Sequence, residues 1–193
     1  MNEELNSDYW SGRYVEKNDG WDLGKISTPI KEYIDQLEDK SISILIPGCG
    51  FGYEGEYLFH QGFLNVHMLD FSINPLDDFQ KRNPTFPFNQ LHVADFFQFK
   101  GEFDLIIEQT LFCAINPLLR SNYALKVKDL LKPKGKLVGL FFNREFEVSP
   151  PFGGTKEEYL TYFSPHFSTI QMEECYNSIV PRAGGELFIK ISK

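Results

Sequence analysis

The sequence predicts an α/β protein: one doubly wound, mostly parallel sheet of seven strands with helices on both faces. Three observations carry this. Short apolar runs alternate with helical patterns along the chain. The first of these runs, "ISILIP", opens straight into a glycine turn, Gly48-Cys49-Gly50-Phe51-Gly52. Asp70, Asp95 and Glu108 then fall at the expected carboxyl ends of later strands, the side on which ligands bind in such sheets.

Each element has a local reason. Thr28 suits an N-cap and Pro29 a first turn, for a helix reaching about Leu37. The first strand is Ser43–Ile46, ending at Pro47, and a helix follows from Gly52 to His60 with Gly62 near its end. Strands are expected at Asn65–Leu69, Asn89–Val93 and Phe103–Ile107, followed by Asp70, Asp95 and Glu108. Asn116-Pro117 starts a helix to about Leu131, closed by "LKPKGK", where Pro133 and Gly135 do not continue a helix. A fifth strand is Lys136–Phe142. Thr155 and Glu158 have the spacing of a capping box for a helix through Phe163. Strands near Ser168–Cys175 and Glu186–Ile191 complete the sheet.

The totals bound the function. The 193 residues make one domain of ordinary size, 1–193, and 42% hydrophobic residues with 19 Phe are enough for a sizeable core. A net charge of −8 offers no broad footprint for nucleic acid or an anionic membrane. Cys49, Cys113 and Cys175 are odd in number, widely spaced and form no CxxC pair, which points to a reducing cytoplasm. The beginning, "MNEELNSDYW", lacks a signal peptide's apolar stretch, and no run approaches the roughly 20 apolar residues of a membrane helix. The sequence does not fix the oligomeric state and is compatible with a monomer.

The glycine turn admits two ligands. Gly50, Gly52 and Gly55 spell GxGxxG, and Asp70 stands 20 residues beyond Gly50, as in a dinucleotide fingerprint. Against this, the turn begins earlier, at Pro47-Gly48, and no second substrate domain is apparent. Acids at the next two strand ends suit a nucleoside without phosphates better than a pyrophosphate. S-adenosylmethionine, with its cationic sulfonium and amino group, is such a ligand. A P-loop is excluded because no Gly-Lys-Ser/Thr follows the glycines.

"ILIPGCGFG", "MLDFS", "VADFF", "FDLIIEQTLFCAINP" and "LLKPKGKLV", preceded by "YWSGRYVEKNDGWDLGKISTP", resemble the thiopurine and thiol/halide S-methyltransferase family, in order from about Trp10 to Phe163. The resemblance implies the class I methyltransferase fold, S-adenosylmethionine as cofactor, S-adenosylhomocysteine as product, and a small soft nucleophile as methyl acceptor: thiol, sulfide, halide or thiopurine. It implies that residues 1–26 form an aromatic segment covering the cofactor, with Trp10, Tyr14 and Trp21; because a lid of aromatics needs something to cover, this segment is expected to order when cofactor binds. By the same resemblance Gly48 and Gly50 lie against the cofactor, Gly48 at its methionine part. Asp70 takes the ribose hydroxyls, and Asp95 with Phe96 takes the adenine. Gln109 stands where the two branches carry Tyr or Arg facing the substrate, so the acceptor is left open at that position. Gln109, which is also expected to touch the cofactor, Phe112 and Phe152 are the candidates for positioning it, the last in a loop, "FNREFEVSPPFGG", expected over the cleft. Arg13 is read as a solvated partner of a nearby acid ahead of an attractor of anionic acceptors. Two other classes stay open: an NAD(P)-dependent oxidoreductase, and a non-catalytic binding module of the same fold.

Other motifs carry less. "SPPF" at Ser149–Phe152 is like the catalytic tetrapeptide of nucleic-acid amine methyltransferases, but it follows the fifth strand rather than the fourth. His60, His67, His92 and His166 have no metal-ligand spacing, no GxSxG elbow occurs, and no metal is expected.

Overall fold

The computed structural model describes residues 5–193, so the first four residues of the expected N-terminal segment lie outside the described residues. Its strands are β1 (Ile44–Pro47), β2 (Val66–Asp70), β3 (Leu91–Val93), β4 (Phe103–Gln109), β5 (Leu131–Phe142), β6 (Thr169–Glu174) and β7 (Glu186–Ser192). They form one sheet in the order β3-β2-β1-β4-β5-β7-β6. The first five run parallel, while β7 lies antiparallel between β5 and β6. The doubly wound expectation holds. The chain order reverses at β1, whose neighbours are β2 and β4, and this is where such sheets open a crevice.

The helices are α1 (Ser7–Val15), α2 (Thr28–Ile34), α3 (Tyr53–His60), α4 (Ile73–Arg82), α5 (Arg120–Leu130) and α6 (Lys156–Phe163). Strand alternation sorts the core into two layers. Leu45, Leu69 and Ile106 face α5 and α6 through Tyr123, Val127 and Phe163. Ile44, Ile46, Met68 and Ile107 face α2, α3 and α4 through Ile30, Leu58 and Phe79.

Several boundaries differ from the sequence expectation for physical reasons. Ser27, not Thr28, occupies the N-cap of α2, and its hydroxyl donates to Gln109 Oε1 (2.5 Å) rather than capping the helix. Helix α4 is absent from the sequence expectation because Pro75 reads as a breaker. Pro75 sits in the first turn, where its missing N–H costs nothing, and the Ser72 hydroxyl caps by accepting from Asn74 N–H. Helix α1 is likewise additional, capped by Asn6, whose side chain accepts from Tyr9 N–H. The expected helix at Asn116 begins as a short 3-10 turn over Pro117–Leu119, with Asn116 Oδ1 accepting from Leu118 N–H, before α5 proper. The Thr155 hydroxyl accepts from Glu158 N–H as a capping box requires. Glu158 itself turns away to Arg120, so only half of the box forms.

Candidate active site

The carboxyl ends of β1, β2 and β4 open on a cavity of about 1010 Å³. Its first wall is mostly backbone and short acids. Gly48 leaves β1 at φ +60, and a Cβ there would come within 2.9 Å of Leu111 Cβ, so no larger residue fits the turn. Gly50, at φ +52, sends its N–H to Asp70 Oδ2 (2.9 Å), while Ser72 N–H donates to Asp70 Oδ1 (2.9 Å). Asp70 is thus fixed by the backbone on both oxygens, and each retains capacity to accept again. Burial, only partly offset by these N–H groups, raises its pKa to about 6, which leaves it ionised at neutral pH. Asp95 holds the next strand end by accepting from Phe97 N–H (2.8 Å), with Phe96 buried beside it. Gly52 and Gly55 serve packing instead: a Cβ on either would come within 2.1 and 2.4 Å of the Met68 side chain, so they let α3 lie close on β2.

Aromatic side chains roof this wall. Helix α1 is moored to the turn after β2 by Ser7 Oγ donating to Phe71 O and Ser11 Oγ to Ser72 Oγ, each 3.1 Å. That brings Trp10 edge-on to Trp21 (5.5 Å between centroids), and Tyr14 edge-on to both Trp21 (5.6 Å) and Phe51 (5.5 Å). Trp10, Tyr14 and Trp21 all line the cavity.

The rest of the lining is largely apolar, with three arginines at the cavity. Cys113, Ile115, Leu119, Phe142, Phe146 and the Pro150-Pro151 pair line it. Arg13, Arg144 and Arg182 reach the same space. The Arg13 guanidinium lies 5.1 Å from the Trp21 ring centroid and has no carboxylate partner among the described residues, contrary to the expected acid pairing. Arg182 donates to Trp21 O (3.1 Å) and pairs with Glu186 (3.4 Å). Cys113 donates to Thr110 O (3.1 Å), and burial pushes its thiol up to about 12, so it is wall and not nucleophile.

The loop supplying the prolines is clamped at its base. Gly154 N–H donates to Arg144 O (3.1 Å) and Phe152 N–H to Cys113 O (2.7 Å). Arg120, 1% exposed, donates to Phe152 O (3.2 Å), Gly153 O (2.9 Å) and Glu158 Oε1 (2.8 Å). The sequence offered no sign of Arg120 beyond its place near a helix start.

Three expected acceptor residues stand elsewhere. Strand β4 runs on to Gln109, and alternation turns consecutive side chains to opposite faces. Glu108 therefore points to the α5 side, accepting from Tyr123 OH (2.7 Å) and Phe112 N–H (3.0 Å), and burial raises it to about 7. Gln109 points to the α2 side, bonds Ser27, and lines a separate small cavity rather than the large one. Phe112 is buried and stacked on Phe141 (4.2 Å), outside the cavity wall. Phe152 is also outside it, because its backbone is held by Cys113 and Arg120 and its proline neighbours take the wall positions. Trp10, Tyr14, Trp21, Gly48, Asp70, Asp95 and Phe96 meet in one place; Gly50 joins them through Asp70.

Such a site fits a nucleoside with a cationic tail: paired acceptors and an aromatic roof over the glycine turn. The comparisons agree. Residues 5–187 match the family described as thiopurine S-methyltransferase. A probable thiol methyltransferase of Arabidopsis thaliana is 30% identical over 95% of this chain and 84% of its own length. A thiocyanate methyltransferase of Brassica oleracea is 28% identical over 86% of this chain and 76% of its own. Among solved structures, a 1,6-didemethyltoxoflavin-N1-methyltransferase of Burkholderia thailandensis with bound S-adenosylhomocysteine has the same fold (TM-score 0.75, 17% identity, 97% of this chain and 86% of that one). These matches leave the dinucleotide reading of Gly50, Gly52 and Gly55 without support.

Proposed function

We propose that this chain, which belongs to the thiopurine S-methyltransferase family and is an S-adenosylmethionine-dependent methyltransferase, carries the methyl group to a small sulfur nucleophile, a thiol or thiocyanate-like anion ahead of a halide or thiopurine. The observation that carries the choice is one cavity that joins backbone and acids at the strand ends to an apolar surface from the later loops, and that Arg13, Arg144 and Arg182 also line. The thiol and thiocyanate methyltransferase relatives point the same way.

When bound, the cofactor supplies an electrophilic methyl on a sulfonium, which departs as a neutral thioether. The chain's part is to align and to dry. Asp70 takes the ribose hydroxyls on oxygens already oriented by Gly50 and Ser72. Asp95 and Phe96 hold the adenine, and Trp10, Tyr14 and Trp21 cover the donor, where their π-faces also favour a cation. On the far wall, Phe142, Phe146, Pro150 and Pro151 exclude water from the acceptor. Attack of an anion on a cation destroys charge, so a water-poor site favours it. Arg13 and Arg144 draw the anion in, and no lining residue is positioned as a base. A thiol arrives as the thiolate already present in solution. Three buried free cysteines suit a reducing cytoplasm, and the net charge of −8 disfavours nucleic acid as a substrate. No helix among the described residues is long and apolar enough to cross a membrane. Residues 1–193 act as one unit, with the segment to residue 26 as its aromatic cover.

Transfer of labelled methyl from the cofactor to thiocyanate, bisulfide, benzenethiol, iodide and a thiopurine tests this. Turnover with the sulfur anions and benzenethiol, and weaker turnover with iodide, is expected. Failure on all five while S-adenosylhomocysteine still binds would overturn the acceptor class.

A further inference from the structure

Three short segments build the apolar side of the large cavity, and hydrogen bonds and ring contacts tie them into one strip. The loop after β5 is the middle member. On one side Asn143 N–H donates to Gly185 O (2.8 Å), and the Arg182 guanidinium lies over the Phe142 ring (5.5 Å). On the other side Phe152 N–H donates to Cys113 O, and Arg120 holds Phe152 O and Gly153 O, which fixes the loop against the 3-10 turn Pro117–Leu119. Each segment lends residues to the lining: Leu119 from that turn, Phe146, Pro150 and Pro151 from the loop, and Pro181 from the 3-10 turn Val180–Arg182.

Each also carries a large apolar residue that the fold does not bury. Leu118 is 88% exposed, Val148 77% and Val180 91%. A single exposed apolar side chain needs no explanation. Here three stand within two residues of lining positions, on segments that are bonded together. Arg144 and Arg182, from the same strip, belong to the lining inside this rim. Cations within and apolar surface without sort an amphiphile: its anionic end enters and its apolar body stays at the mouth. A three-atom anion such as thiocyanate uses none of that outer surface. The cavity, about 1010 Å³, is also at the upper end of the range for small-molecule sites.

We propose that Leu118, Val148 and Val180 form an apolar rim that selects the acceptor: a thiol whose apolar body is long enough to lie across the mouth while its sulfur reaches the methyl group. The inference rests on the sulfur-acceptor reading above and narrows it. The chemical step is unchanged: the thiolate forms the new S–C bond as the sulfonium–methyl bond breaks, and the cofactor leaves as a neutral thioether.

Methyl transfer to straight-chain alkanethiols from ethanethiol to octanethiol tests it, because chain length leaves the acidity of the thiol nearly constant. Once the chain reaches the rim, kcat/KM should rise roughly two- to fourfold per methylene, the upper figure being full burial. Leu118→Ser combined with Val180→Ser should lower kcat/KM for octanethiol about 10-fold through KM, and leave ethanethiol, too short to touch the rim, within about twofold. Val148→Ser, made separately, should cost octanethiol about threefold. All three residues are exposed, and retained S-adenosylhomocysteine binding by calorimetry reports that the variants are folded. A flat series, with thiocyanate still turned over, would overturn the rim and leave the sulfur-acceptor reading intact. A slope unchanged in the variants would send the chain elsewhere and overturn the rim as well. So would a wild-type dimer that the variants dissociate, which gives the surface to a second copy. No turnover with any sulfur acceptor, while S-adenosylhomocysteine binds, would overturn both.

Discussion

The two walls of the large cavity are built by different means. The cofactor wall is made at the ends of β1, β2 and β3, where the backbone turns and two short acids are held by N–H groups a few residues away. The acceptor wall is made of side chains borrowed from the turn after β4, the loop after β5 and the segment before β7. The first is a consequence of chain geometry and tolerates little change. The second can be rewritten one side chain at a time.

The sharpest way to break this contrast is at Gly48. Gly48→Val forces a β-branched residue to φ +60 and into Leu111. A loss of S-adenosylhomocysteine affinity of roughly 100-fold or more is expected, with about 2–4 kcal/mol less stability, measured by calorimetry and chemical unfolding. Normal affinity would mean the turn is more compliant than drawn here. On the other wall, Arg144→Met should leave cofactor affinity unchanged and raise the KM for thiocyanate about 3- to 10-fold, with a smaller effect on an uncharged thiol. An equal change for both acceptors would assign Arg144 to packing.

The smallest effect lies away from both walls. His67 and His92 share a 2.9 Å hydrogen bond on β2 and β3. Burial lowers the pKa of both, and His92 adds repulsion at His67. The unfolded chain takes up protons near the ordinary value of about 6.5, the folded chain only at lower pH. Stability from the pair is therefore present above that value and lost as pH falls through and below it. His92→Gln should flatten the fall in Tm between pH 7 and 5 by no more than about 2 °C; an unchanged slope would remove the pair from the acid response.

The same contrast explains what the sequence made legible. The seven strands, the glycine turn and the acids at Asp70 and Asp95 depend on local patterns: apolar runs, turn residues and their spacing. Helix α1 was hidden because its signal is the Asn6 cap rather than a strong apolar period, and α4 because Pro75 falls inside its first turn. Gln109 and Phe112 were assigned to the acceptor by the resemblance, yet β4 runs on through Gln109 and turns it toward Ser27 on the α2 side, while Phe112 packs on Phe141. Arg120 depends on partners far away in the chain. No local pattern encodes that.

The clamp at the base of the loop after β5 has one more consequence. With Arg144 and Gly154 tied together, and Phe152 and Gly153 held by Arg120, the two feet of the loop keep their positions whatever lies between them. Loop closure cost grows only slowly with length. The tip is therefore an exchangeable part: segments of different length and chemistry can be grafted between the same feet, and a new acceptor acquired, without rebuilding the half of the enzyme that binds the methyl donor.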